Sequence, residues 1–231
     1  MRSLIKEVFY YLRYPWLTAI GPSSHPSLAV FFRLTLICVL TGIVAGSFSG
    51  ILVRHNLIPD PGPSLLDNRE VSQFQFFIAA VFIAPILEES FFRAQLRRFS
   101  AGLMFIAFVC GILLSAFTKT YWAFLISPFL FGILFIIYRF TIAGSISRKF
   151  NFWNRLFPWH FHFTALCFAL VHLGNFEKGI SLLPWGILYT LPQLAIGFLL
   201  GYTRMVHGLK YSIALHSLYN LCFVILLFSK H

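Results

Sequence analysis

Two adjacent glutamates and an arginine interrupt an apolar stretch at residues 82–98, FIAPILEESFFRAQLRR. Residues four apart on a helix share a face, whereas neighbours point about 100° apart. Glu89 is therefore spaced to pair with Arg93, and Glu88 looks elsewhere with its charge uncompensated. Such a carboxylate suits acid–base work, although an ordinary ion-pair cluster at a helix end uses the same residue types. Pro85, one turn earlier, removes a backbone donor and should bend the helix. Two further runs place polar groups among apolar ones. FALVH, residues 168–172, sets Phe168 one turn before His172 on the same face, where an imidazole serves packing and hydrogen bonding as readily as chemistry. HSLYN, residues 216–220, stacks the His216 imidazole and the Asn220 amide on one face. Two donors aimed at a common point can hold an oxyanion; they can equally join two helices.

The elements that carry these groups belong to a membrane. Of 231 residues 58% are hydrophobic and 19% aromatic, and the mean hydropathy is +0.80, too apolar for a water-soluble domain. The 18 Lys and Arg against 7 Asp and Glu fit the basic flanks that orient membrane helices, and no nucleic-acid motif accompanies them. An ionisable group inside the bilayer costs about 2.5–3.5 kcal/mol on insertion scales, which makes the three polar runs functional candidates. Cys38, Cys110, Cys167 and Cys222 lie in apolar stretches without metal-ligand spacing and read as free, buried thiols. His160, His162 and His207 fall near cytoplasmic interfaces, where solvation is their expected role.

Charges divide the chain into apolar intervals at 34–53, 71–87, 99–118, 120–138, 156–176, 179–203 and 211–229. A bilayer core needs about 20 apolar residues as helix, so seven spans are expected, the second running on past its glutamates to about Leu96. The interval 14–32 is broken by GPSSHP at 21–26 and is expected at the surface. Residues 1–30 should form an amphipathic helix at the interface, with Tyr10, Tyr11, Tyr14 and Trp16 at headgroup level. Basic-rich and basic-poor loops alternate along the chain, which sets the N-terminus in the cytoplasm and the C-terminus outside. The expected fold is all-α: a single membrane domain over 1–231, a polytopic bundle of about seven spans with an interfacial N-terminal helix. The loop IPDPGPS at 58–64 reads as a structured connection without chemistry.

The order EESFFR at 88–93, FALVH at 168–172 and HSLYN at 216–220 resembles the CPBP family of intramembrane glutamic proteases, which includes CAAX prenyl proteases and the bacterial Abi proteins. The resemblance covers roughly 75–228, a protease-like core. It implies that Glu88 works with His172 to activate a water for attack on a peptide carbonyl. It further implies that His216 and Asn220 stabilise the oxyanion while Glu89, Arg93 and Phe168 shape the site. No cofactor or metal is implied. The substrate class it implies is a membrane-associated or lipidated peptide or protein in a cell membrane, a bacterial plasma membrane by analogy; nothing in the residues specifies an oligomeric state. Ala94 stands where many members have glycine. Residues 94–167 leave room for a helical hairpin inserted at 99–138. The expected topology also puts His172 towards the outer end of its span, with Glu88 and His216 nearer the cytoplasm. The three can meet only if that helix starts deeper, tilts or breaks.

Two other functions use the same residues. Glu88, His172 and His216 could supply a two-histidine, one-carboxylate metal site, although no closely spaced ligand pair such as H-E-x-x-H occurs. A non-catalytic regulator or immunity protein could use the cluster for helix contacts. Serine chemistry is disfavoured, because GSFSG at 46–50 places Phe48 where a nucleophile elbow needs Ser.

Overall fold

The computed structural model describes residues 2–17, 26–64, 72–142 and 144–229. These residues form an all-α fold of ten helices. Helix α1 (Arg2–Arg13) precedes the first long apolar helix, α2 (Leu28–Arg54). Then α3 (Gln73–Ile78), a π turn (Ala79–Ile83) and α4 (Ala84–Phe92) make one segment that ends in a 3₁₀ turn (Ala94–Arg97). Helices α5 (Phe99–Thr118) and α6 (Ile126–Thr141) form a hairpin, and α7 (Ile146–Val171) runs into a 3₁₀ turn (His172–Asn175). A second 3₁₀ stretch (Gly179–Trp185) and the short α8 (Gly186–Tyr189) lead to α9 (Leu191–Val206) and α10 (Leu209–Phe228).

Each of the seven apolar intervals is largely helical, but their lengths differ. Leu28–Arg54, Gln73–Arg97, Ile146–Asn175 and Leu209–Phe228 are long and apolar enough to cross a membrane. The pair Ser181–Tyr189 and Leu191–Val206, bent by 59°, makes a fifth span if taken together. In the hairpin, α5 fills the whole expected interval 99–118, whereas α6, at Ile126–Thr141, is shorter than the expected seven-span reading requires. Lys119, in the left-handed region at φ 53°, closes α5, and the following 3₁₀ turn (Tyr121–Leu125) uses up residues that the interval 120–138 had counted as span. Large apolar side chains on α6, among them Phe129 and Phe140, face outward, as lipid-facing residues do.

Inside the bundle the core gathers Leu34, Phe157, Phe161, Phe168, Leu200, Met205 and Leu215 from α2, α7, α9 and α10. Helices α7 and α9 approach closely because α9 presents Gly197 and Gly201 to α7. A Cβ on Gly201 would stand 2.7 Å from the Phe161 ring, and one on Gly197 3.1 Å from Phe168. This is the small-xxx-small packing that lets membrane helices meet at backbone distance. A second cluster, of Ile58, Leu173 and Tyr189, sits under the loop at 58–64. That loop is structured: Tyr189 Oη donates to Pro59 O at 2.5 Å, and the amides of Glu177 and Lys178 donate to Pro63 O and Pro61 O.

Several expectations are corrected. Helix α1 stops at Arg13, and α2 begins at Leu28, six residues before the charge-free interval, because Ser27 caps it by accepting from Val30 N. Tyr11 does not share the exposure of the other three aromatics: it is fully buried against Phe161 and Tyr202, while Tyr10, Tyr14 and Trp16 are exposed. Residues 21–25 of the expected break lie outside the described residues. The four cysteines are free, but only Cys38 is buried; the others are half-buried. His160 is buried rather than solvated, because α7 begins at Ile146 and so places it mid-helix; His162 and His207 are half-buried.

Candidate active site

Three stripes with four-residue spacing meet in the bundle. Along α4 and its C-cap the stripe is Pro85, Glu89 and Arg93; along α7 and the first residue of the 3₁₀ turn after it, His160, Thr164, Phe168 and His172; on α10, Ser212, His216 and Asn220. Four-residue spacing keeps each set on one face, and helix packing turns the faces together.

Glu89 is the buried hub. Its Oε1 lies 3.1 Å from Arg93 Nη1 and accepts from His216 Nδ1 at 3.0 Å, and its Oε2 accepts from the Ser212 hydroxyl. Ser212 Oγ also lies 3.0 Å from Leu200 O, which ties the carboxylate to α9. The Arg93 guanidinium stacks 3.8 Å from the centre of the Phe168 ring and reaches Gly197 O at 3.5 Å. Phe168 in turn meets the rings of His172 and His216, with centroids at 4.8 and 5.9 Å. One aromatic ring thus sets the spacing of three polar side chains.

Glu88 differs from its neighbour in exposure and in hydrogen bonding. Its side chain retains 29% exposure against 0% for Glu89, and its Oε2 makes no hydrogen bond. That oxygen lies 4.0 Å from His172 Nε2 and 3.8 Å from His216 Nε2. His172 Nδ1 faces Phe168 O at 2.7 Å, and a carbonyl only accepts, so Nδ1 carries the proton and Nε2 turns to Glu88. The disparity in depth is resolved: α7 starts ten residues before its charge-free interval and breaks into 3₁₀ at His172, which brings that imidazole to Glu88.

Asn220 is placed otherwise than a donor paired with His216 alone. Its Nδ2 donates to Ala80 O in the π turn at 2.8 Å. Ser212 was not singled out from the sequence, although the four-residue run Ser212, His216, Asn220 in an apolar helix is a readable signal. Nor was the buried set below the site, in which Gln95 Nε2 donates to Phe92 O and Thr164 Oγ1 and Gln95 Oε1 faces His160 Nε2 at 2.5 Å. It fastens the end of α4 to α7. Arg204 Nε donates to Arg93 O at 3.0 Å and fastens the same end to α9. Among the described residues no group of three His, Cys, Asp or Glu side chains is arranged to hold a metal ion.

An all-helical membrane protein with a partly exposed carboxylate facing two imidazoles is what fold and site together define. Residues 136–222 match the family model described as type II CAAX prenyl endopeptidase Rce1-like, which bears out the resemblance to the CPBP and CAAX protease family. The matched segment includes Phe168, His172, His216 and Asn220, whereas Glu88, Glu89 and Arg93 precede it. No curated protein and no solved structure matches the chain.

Proposed function

We propose that this protein is an intramembrane glutamic endopeptidase that hydrolyses a peptide bond in a membrane-associated or lipidated peptide or protein. The observation that carries the reading is the approach of Glu88 Oε2 to the Nε2 atoms of His172 and His216, from three separate helices. These separations are too long for direct hydrogen bonds and suit a water held among the three groups. As the water oxygen bonds to the peptide carbonyl carbon, its proton passes to Glu88, assisted by neutral His172. His216 stands between the carboxylates of Glu88 and Glu89, each of which can accept from the ring nitrogen it faces. Its Nε2–H then donates to the oxygen on which charge develops, where a donor fixed in advance is most effective. Asn220 can offer its second N–H to the same oxygen. Collapse of the intermediate breaks the C–N bond, and the stored proton goes to the leaving amine. No covalent nucleophile is required. Glu89 and Arg93 neutralise each other and hold His216 in orientation.

The test is cleavage of a prenylated CAAX peptide in vesicles by purified wild type and His172→Ala. Activity that survives exhaustive chelation and falls at least about 100-fold in the variant supports the reading. Activity lost on chelation and restored by zinc would replace it with the metal mechanism. Equal cleavage by the folded variant would remove His172 from it.

A further inference from the structure

The π turn at Ala79–Ile83 contains a hydrogen-bonding deficit that a side chain of α10 makes good. Within it the Ala84 amide donates to Ala79 O, five residues back instead of four. The next amide in that register would belong to residue 85 and would serve Ala80 O. Residue 85 is proline and has no N–H. Ala80 O accepts instead from Asn220 Nδ2 at 2.8 Å. The turn itself has a cause in the same proline: in α register the Pro85 ring would press on the Val81 carbonyl, and a wider turn relieves that clash. The extra residue rotates all that follows by about 100° relative to α3. Glu88 and Glu89 come three and four residues after Pro85, so the break decides where each carboxylate points.

We infer that Asn220 is a positioning residue: its amide replaces the donor that Pro85 lacks and holds the break that aims Glu88 at His172 and His216. The role deepens the peptidase reading, since it uses one N–H of the amide and leaves the other for the oxyanion. A backbone carbonyl in an apolar helix is costly to leave without a donor, so losing the contact should loosen the turn.

A double-mutant cycle of Asn220→Ala and Pro85→Ala tests this, read by hydrogen exchange over residues 79–89 and by the His172 imidazole nitrogen resonances. An alanine at 85 restores a chain donor for Ala80 O: its own amide in π register, or that of Ala84 in α register. Asn220→Ala alone should speed exchange at residues 83, 84 and 86–89 about tenfold or more and shift the His172 resonances. In the Pro85→Ala background the same substitution should change exchange less than about twofold. A single variant that fails to fold and folds once Pro85→Ala is added gives the same answer. Equal acceleration in both backgrounds, failure to fold in both, or an unmoved His172 signal would overturn the inference. Neither readout depends on turnover, so its failure is distinct from a failure of the peptidase reading.

Discussion

Glu88 and Glu89 are adjacent in the chain and opposite in situation. The four-residue spacing was enough to expect Glu89 against Arg93, because that pairing is local and needs only a helix. The partners that complete the hub, Ser212 and His216, come from α10 and depend on how helices pack, which no local spacing reports. The same limit explains why Asn220 could be chosen but its Ala80 contact could not be foreseen. The pair at the hub is almost fully enclosed, with side-chain exposures of 1% for Arg93 and 0% for Glu89. Removing one partner from such a pair strands a buried charge, so Arg93→Met should destabilise the protein by about 3–5 kcal/mol in detergent unfolding. Adding Glu89→Leu should recover a large part of that loss. A cost below about 1 kcal/mol for Arg93→Met would mean that the pair is not the closed unit described.

At the scale of elements, apolar intervals located every long helix, while their ends moved by as much as ten residues. Capping and turns decide those ends: Ser27 starts α2 and Ser145 starts α7 by accepting from Val30 N and Arg148 N, and charged residues ride on the first turns of α7 without breaking it. Helix α1 shows what amphipathicity leaves open. It has apolar residues on two faces, and only docking tells which face enters the bundle. Tyr11 fills the docked face, donating to Trp16 O at 2.8 Å, and Tyr10 lies outside. Tyr11→Ala should cost about 3–5 kcal/mol, whereas Tyr10→Ala should stay within about 0.5 kcal/mol, both by thermal unfolding in detergent. Equal effects would place α1 at the interface by both faces. At the α7–α9 contact, Gly201→Leu must displace the Phe161 ring and should cost about 1–3 kcal/mol; a neutral result would refute the close approach.

For the whole molecule, we propose from the alternation of basic and basic-poor loops that the N-terminus and the turn between α6 and α7 are cytoplasmic and that the loop at 58–64 lies outside. In a cysteine-free background, Gly62→Cys should react with an impermeant maleimide in intact cells, and Gly144→Cys only after permeabilisation. The reverse pattern would invert the bundle, and labelling of both from outside would break the alternation. Composition was sufficient for the fold class because lipid leaves helical bundles as the outcome for such a chain. Helix α6 marks where composition misleads: its apolar interval was visible, but the 3₁₀ turn at Tyr121–Leu125 takes its first residues, while α5 fills 99–118 as expected.

The proposed chemistry depends most on Glu88, the one carboxylate at the site that is partly exposed and faces two imidazoles. The direct measurement is a comparison of membrane peptidomes from cells carrying wild type or Glu88→Gln, with unfolding temperatures confirming that the variant is folded. A defined set of product termini present with wild type and absent with Glu88→Gln is the predicted result. Identical peptidomes from two folded proteins would contradict the proposed chemistry.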